Sequence, residues 1–269
     1  MRTNLYTAEI STINGGSIAS FVIHNYALND SERVELIDNN NVNNLMVGFR
    51  STDGDDISLS GGWVADNDYD INIYERETTV TFHKAFNDKQ ISRSLTFYPN
   101  KYIIDINVDL SEIQRWVSQG VSTVSWPGGL PLTEPNKKDE QIYYQAMVFQ
   151  GDETYAPKPQ KPTQAKLERM DYPTDWIAIR TKYFITALVP QKQAPGSQVL
   201  AVQENGDIKY DVGLYFDVSR PFLSTLYIGP LEYSRIKQLG KNVDRIMNFG
   251  WAFIRPISKI VHWFLIFLY

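Results

Sequence analysis

Before Leu231 the chain holds no long segment whose apolar residues recur at helical spacing, which removes most helical and α/β folds open to 269 residues. Short runs rich in Val, Ile, Tyr, Phe and Thr take their place, at 5–12, 17–26, 34–37, 45–50, 78–85, 90–98 and 102–110. Several alternate, as in Ile104-Asp105-Ile106-Asn107-Val108-Asp109, which is the two-residue period of a strand with one face covered. Asn14-Gly15-Gly16, Asp53-Gly54-Asp55 and Asn87-Asp88 supply turn chemistry between runs. A second set of runs follows at 176–189, 197–203, 208–218 and 223–228. Short strands joined by turns predict an antiparallel sandwich or barrel. Apolar residues make up 43% of the chain, enough to fill one large β core.

Two connections interrupt the pattern. Residues 127–141 (PGGLPLTEPNKKDEQ) cannot hold regular structure for long, and 154–173 carries Pro157, Pro159, Pro162 and Pro173. Strands resume in the same style after the second, so it reads as a loop within one unit. The expected division is a β domain over 1–230, with its sandwich from about residue 3 to 229, and helices over 231–269. In that second part, 231–239 and 243–249 read as short helices, with Gly240 as a C-cap and Gly250 before a final helix. Ile236, Leu239, Val243, Ile246 and Met247 form an apolar stripe expected to pack on the β unit.

The last nineteen residues, WAFIRPISKIVHWFLIFLY, are the most apolar of the chain. Arg255, Ser258, Lys259 and His262 fall at i, i+3, i+4 and i+7, on one narrow helix face. At about 1.5 Å per residue such a helix is roughly 28 Å long, nearly the hydrocarbon thickness. Length therefore does not decide between spanning and lying flat. Lys259 does: near the middle of a span its charge would cost about 2.5–3.5 kcal/mol. Lying flat lets the polar face meet water and headgroups. Pro256 falls in the first turn, where a missing N–H is tolerated. The expected membrane-interface residues are Trp251, Phe253, Ile254, Arg255, Lys259, Trp263, Phe264 and Phe267. Arg235, Lys237, Lys241, Arg245, Arg255 and Lys259 crowd toward this end, as suits anionic lipid. No short apolar export-signal core follows Met1, and the pattern reads as an excised domain of a membrane protein.

Catalytic chemistry is sparse. With a formal net charge of −5 there is no basic field for nucleic acid. Cysteine is absent, so neither a disulfide frame nor a thiolate metal site can form. The three histidines, His24, His83 and His262, make no His-x-His or His-x-x-x-His pair. Asp53, Asp55, Asp56, Asp66, Asp68 and Asp70 lack the spacing and closing Glu of a calcium loop and read as a solvated acidic stretch. Trp63, Trp116, Trp126 and Trp176 are expected to serve the core rather than a sugar groove. No cofactor and no metal are expected.

Three segments carry a family resemblance. The first runs from Asp175-Trp176 through Tyr183-Phe184 and Ala187 to Pro190; the second is Leu226-Tyr227-Ile228-Gly229-Pro230; the third joins Val243-Asp244-Arg245 to Phe249-Gly250-Trp251-Ala252-Phe253-Ile254-Arg255-Pro256. In order and spacing they resemble the large periplasmic domain of the bacterial membrane-protein insertase YidC. The likeness is strong over 175–269 and diffuse before it. It implies a mostly β chain, an antiparallel β-supersandwich of the galactose-mutarotase type with C-terminal α-helices. It also implies that the last helix lies on the periplasmic face of the inner membrane. One transmembrane helix would precede Met1 and five would follow Tyr269 in the intact protein. The insertase groove and its functional arginine lie outside this sequence, so Arg255 is not that residue.

The function implied is that of the periplasmic part of an insertase and chaperone for inner-membrane proteins, without a covalent step. Its implied partners are the bilayer surface, the Sec translocon with SecDF, and nascent inner-membrane proteins. The alternative is a carbohydrate-binding or aldose-epimerase-like module, since that fold is shared. Epimerisation needs a general acid and base facing each other across a sugar ring, and neither His24 nor His83 sits in a motif of that kind.

Overall fold

A computed structural model of the protein describes residues 1–29, 32–66 and 70–247. The chain divides into two compact units, Met1–Pro230 and the part from Leu231 onward. The first is mostly β and antiparallel throughout its ladders. A three-stranded sheet pairs β1 (Tyr6–Ser11), β2 (Ser17–Asn29) and β3 (Glu32–Glu35). A six-stranded sheet runs in the order β13 (Glu168–Met170), β16 (Ser197–Glu204), β17 (Asp207–Asp217), β10 (Val117–Trp126), β4 (Met46–Ser51), β5 (Asp56–Ser58). A nine-stranded sheet follows the order β12 (Glu153–Tyr155), β11 (Gln145–Gln150), β14 (Thr174–Arg180), β15 (Phe184–Pro190), β18 (Phe222–Pro230), β9 (Ile103–Asp109), β8 (Lys89–Phe97), β7 (Thr78–Phe86), β6 (Trp63–Ala65).

The chain crosses between the two large sheets after β9, β10, β15 and β17, and β17 lies against β14. Their facing side chains form the core. Along β9, Ile104, Ile106 and Val108 are buried while Asp105, Asn107 and Asp109 are half-exposed, as alternation predicts. β15 is buried at every residue, because its sheet is covered on both faces there. Trp176 on β14 stacks on its cross-strand partner Phe149 of β11, with ring centroids 5.3 Å apart. Trp63, Trp126 and Trp176 are buried, and Trp116 is half-exposed under the Arg115 guanidinium, 3.9 Å from its ring.

Two stretches depart from the sequence reading. The single run expected at 176–189 is a hairpin, β14 and β15, turning at Thr181-Lys182-Tyr183. The Thr181 hydroxyl accepts the N–H groups of Tyr183 and Phe184, a turn that needs neither Gly nor Pro. β10 had no separate signal because a bulge breaks it: Gln119 and Gly120 take φ of 57° and 67°, and the register shifts between Val117 and Ser122. The connection 127–141 does hold a short helix, α1 (Lys137–Gln141).

One charged side chain stands inside the sandwich. Arg93 of β8 is 1% exposed, on the apolar face with Ile91, Leu95 and Phe97. Its Nη1 donates to the carbonyls of Asn14 and Leu45, each at 2.7 Å, and burial pushes its pKa down to about 9. Both carbonyls belong to left-handed residues, Asn14 at φ 57° and Leu45 at φ 53°. The adjoining Gly15 and Gly16 also have positive φ, and a Cβ on Gly16 would lie 2.7 Å from Leu95. Arg93 thus pins two turns of the first fifty residues onto β8.

In the second unit, α2 (Tyr233–Lys237) is followed by a 3-10 turn at Val243–Met247, with Gly240 at φ 70° between them. Ile236, Val243 and Ile246 of the apolar stripe are buried, and Leu239 and Met247 are half-exposed. No helix among the described residues is long and apolar enough to cross a membrane.

Candidate functional site

The Pro230 end of the β unit is assembled from strand ends that the register brings together. Gln145 pairs with Arg180, Arg180 with Ile185, Ile185 with Gly229, and Tyr227 with Ile103. The Tyr227-Ile228-Gly229-Pro230 motif is shaped by aromatic packing. A Cβ on Gly229 would meet the Tyr102 ring at 2.7 Å, so that ring lies directly on the strand. Tyr102 also meets Tyr227 edge-on and stacks with Tyr6, which stacks on Phe21. The Tyr227 hydroxyl donates to the Pro230 carbonyl at 2.7 Å, fixing where the chain leaves β18. Asn4 donates to Asn100 at the same end.

A fastened loop flanks this exit. Glu140 is fully buried, and its carboxylate accepts the N–H groups of Thr133 at 2.6 Å and Glu134 at 2.7 Å. The Tyr144 hydroxyl accepts from Leu130 N–H, and Tyr210 donates to the Tyr144 carbonyl with the two rings edge-on. Glu134 then accepts from Tyr183 and pairs with Lys182 at 3.3 Å. The Tyr183 hydroxyl, and after it Lys182, hold the Glu134 carboxyl below its ordinary range. On this framework stand Ile142, Tyr143 and Tyr183, exposed by 72%, 45% and 42%. Lys182 lies over the Tyr183 ring at 4.9 Å and Lys101 over the Tyr98 ring at 5.0 Å.

The opposite end is different. Gln191, Gln193, Pro195, Phe216, Arg220 and Phe222 line a recess of about 130 Å³ between the β15–β16 and β17–β18 connections. Phe216 and Phe222 stack beside it at 4.7 Å. Asp217 accepts the Ser219 N–H at 2.8 Å, which, with the Ser219 hydroxyl and Arg220, holds its carboxyl below the ordinary range. A shallower groove beside it is lined by Gln114, Arg115, Gln119 and Ser219. Neither contains a histidine. His24 instead contacts the Thr7 hydroxyl and the Asn4 carbonyl, while His83 meets Asp66 at 3.3 Å. Asp53, Asp55, Asp56, Asp66 and Asp70 are all exposed, and Asp68 lies outside the described residues.

The expected interface residues Trp251, Phe253, Ile254, Arg255, Lys259, Trp263, Phe264 and Phe267 all lie outside the described residues, as does His262. Sequence reading missed the Glu140 clasp and the exposed pair Ile142-Tyr143. The available signal was two adjacent apolar or aromatic residues directly after a charged run, at 137–143.

Comparison with known proteins is consistent over the whole length. The YidC periplasmic-domain family model matches residues 1–264. The membrane protein insertase YidC of Chlorobium luteolum is 27% identical over 271 residues, covering 96% of this chain and 46% of the relative. Those of Chlorobium limicola and Chloroherpeton thalassium are 27% and 26% identical, with the same coverage. The chain therefore spans about half the length of these relatives. A galactose mutarotase related enzyme from Lactobacillus acidophilus superposes with a TM-score of 0.50 at 10% identity, over 85% of this chain and 96% of that one. That likeness shows a shared fold and says nothing of activity. With strand order, the Tyr227-to-Pro230 exit and a family match from residue 1 to 264 in agreement, the chain belongs to the YidC periplasmic domain family.

Proposed function

We propose that this chain is the periplasmic part of a membrane-protein insertase and chaperone, held at the periplasmic face of the bacterial inner membrane. It acts by binding and positioning, not by catalysis. The observation that carries this reading is a family match running through residue 264, into the apolar segment that follows the β unit. Trp251, Phe253, Ile254, Trp263, Phe264 and Phe267 sink into the lipid interface, while Arg255 and Lys259 face headgroups. The domain division at 230/231 separates a β body from this attachment. The Sec translocon with SecDF and nascent inner-membrane proteins are the partners that fit an insertase. The insertion step itself belongs to the part of the longer protein beyond this chain.

The epimerase alternative has less support. His24 and His83 are engaged with Thr7 and Asp66, and neither recess offers an acid and base across a sugar-sized gap. Polarimetry of galactose or glucose anomers should give the buffer rate. An acceleration lost on His24→Ala or His83→Ala would restore that alternative.

Liposome flotation tests the main reading. The intact chain is expected to float with anionic vesicles, and a version ending at residue 250, or Ile260→Asp with Phe264→Asp, is expected to stay in the load fraction. Equal flotation of all three would remove the interface role of 251–269.

A further inference from the structure

The Pro230 end of the β unit carries an exposed rim that the tail does not account for. Its parts run across the nine-stranded sheet from β11 to β8, five strand steps or roughly 24 Å. At one side stand Ile142 and Tyr143, at the centre Tyr183 with Lys182, and at the other side Tyr98 with Lys101. Lys137 and Lys138 of α1 are exposed beside Ile142. The carboxylates at this end are Glu77, Glu134 and Asp139; Glu134 is engaged with Lys182 and Tyr183, and Asp139 accepts from Asn136. Four lysines leave the rim positive in a chain whose net charge is −5.

We propose that this rim is a second lipid-contacting surface, seating the β unit on anionic headgroups with Ile142, Tyr143 and Tyr183 as interfacial anchors. The inference rests on the proposed membrane attachment. β18 delivers the chain at this end into the segment that ends in 251–269, so the rim is on the side tethered toward the lipid. Tyrosine suits that boundary because its ring is apolar and its hydroxyl wet. Lysines beside or over tyrosine rings present ammonium groups where phosphates lie. Ile142 has no such polar handle, yet it is among the most exposed apolar residues of the unit. The loop holding it is clasped by Glu140 and Tyr144, so its exposure is a fixed presentation rather than a loose end. A rigid anchor loses little conformational freedom on binding.

The chain contains no cysteine, so single introduced thiols report unambiguously. Ile142→Cys, Tyr183→Cys, Leu223→Cys and Phe264→Cys would each carry an environment-sensitive fluorophore in the full chain, mixed with vesicles of anionic and neutral lipid bearing a headgroup-level quencher. Leu223, 40% exposed at the opposite end, is the internal control. Labels at 142 and 183 are expected to shift to the blue and be quenched at least twofold more than at 223. If 264 responds while 142 and 183 match 223, the rim proposal falls and the tail reading stands. If 142 and 183 respond without 264, the rim stands and the tail reading falls. A response at 142 to an unfolded apolar peptide but not to vesicles would overturn the lipid assignment and place a polypeptide there.

Discussion

The two ends of the nine-stranded sheet use the same residue types to opposite effect. At the Pro230 end a carboxylate is wholly buried, Glu140, and its bonds to Thr133 and Glu134 hold a loop that pushes apolar residues outward. At the other end the carboxylate is half-exposed, Asp217, and the apolar residues Phe216 and Phe222 turn inward beneath a shallow recess. A buried acid paired to backbone N–H groups is an expensive thing to disturb, and a surface acid 3.9 Å from Arg220 is not. What differs is therefore rigidity in the service of exposure. One end is built to hold anchors out, and the other merely closes a turn.

The largest expected effect follows from that contrast. Glu140→Ala should lower stability by about 2–4 kcal/mol, because two buried N–H groups lose their acceptor. Denaturant unfolding measures this, and a loss below about 1 kcal/mol would mean that the clasp is not buried as described. Gly229→Ala should lose about 1–3 kcal/mol by forcing a methyl against Tyr102. Here the readout is the same, with near-ultraviolet circular dichroism reporting the tyrosine cluster.

Alkaline titration sharpens the comparison further. Burial raises the pKa of Tyr6 and Tyr144 and pushes Tyr210 up to about 12. All three serve the Pro230 end or its flanking loop. Unfolded tyrosine loses its proton near pH 10, so stability should fall between pH 10 and 12, by about 1 kcal/mol per buried tyrosine at pH 11. Arg93 acts with the opposite sign above about pH 9, which lessens the fall. Tyr210→Phe should flatten the pH dependence, and an unchanged slope would remove this tyrosine from the account. The smallest effect belongs to the other end: Asp217→Ala should change stability by less than about 1 kcal/mol.

Much of this architecture is visible in the sequence, for physical reasons that differ by element. Runs such as 90–98 and 102–110 alternate because one face is covered, and they appear as β8 and β9 within a residue or two. β14 and β15 ran together because strands covered on both faces do not alternate, and the Thr181 turn carries no glycine or proline. The phase of β8 places Arg93 on the face of Ile91 and Leu95, so its burial was legible. Its partners were not, since Asn14 and Leu45 lie 79 and 48 positions away. Glu140 hides within a Lys-Lys-Asp-Glu-Gln stretch that reads as a solvated turn, and only the fold turns it inward. The functional reading came from the family motifs, because the β body carries no catalytic constellation to announce it.

Hydrogen–deuterium exchange of the full chain, with and without anionic vesicles, tests the orientation most directly. Exchange is expected to slow at 137–144, 181–183 and 251–269 when vesicles are present, and to stay unchanged at 216–223. Slowing at 216–223 instead, or none at 137–144 and 251–269, would contradict a domain seated on lipid by its Pro230 end.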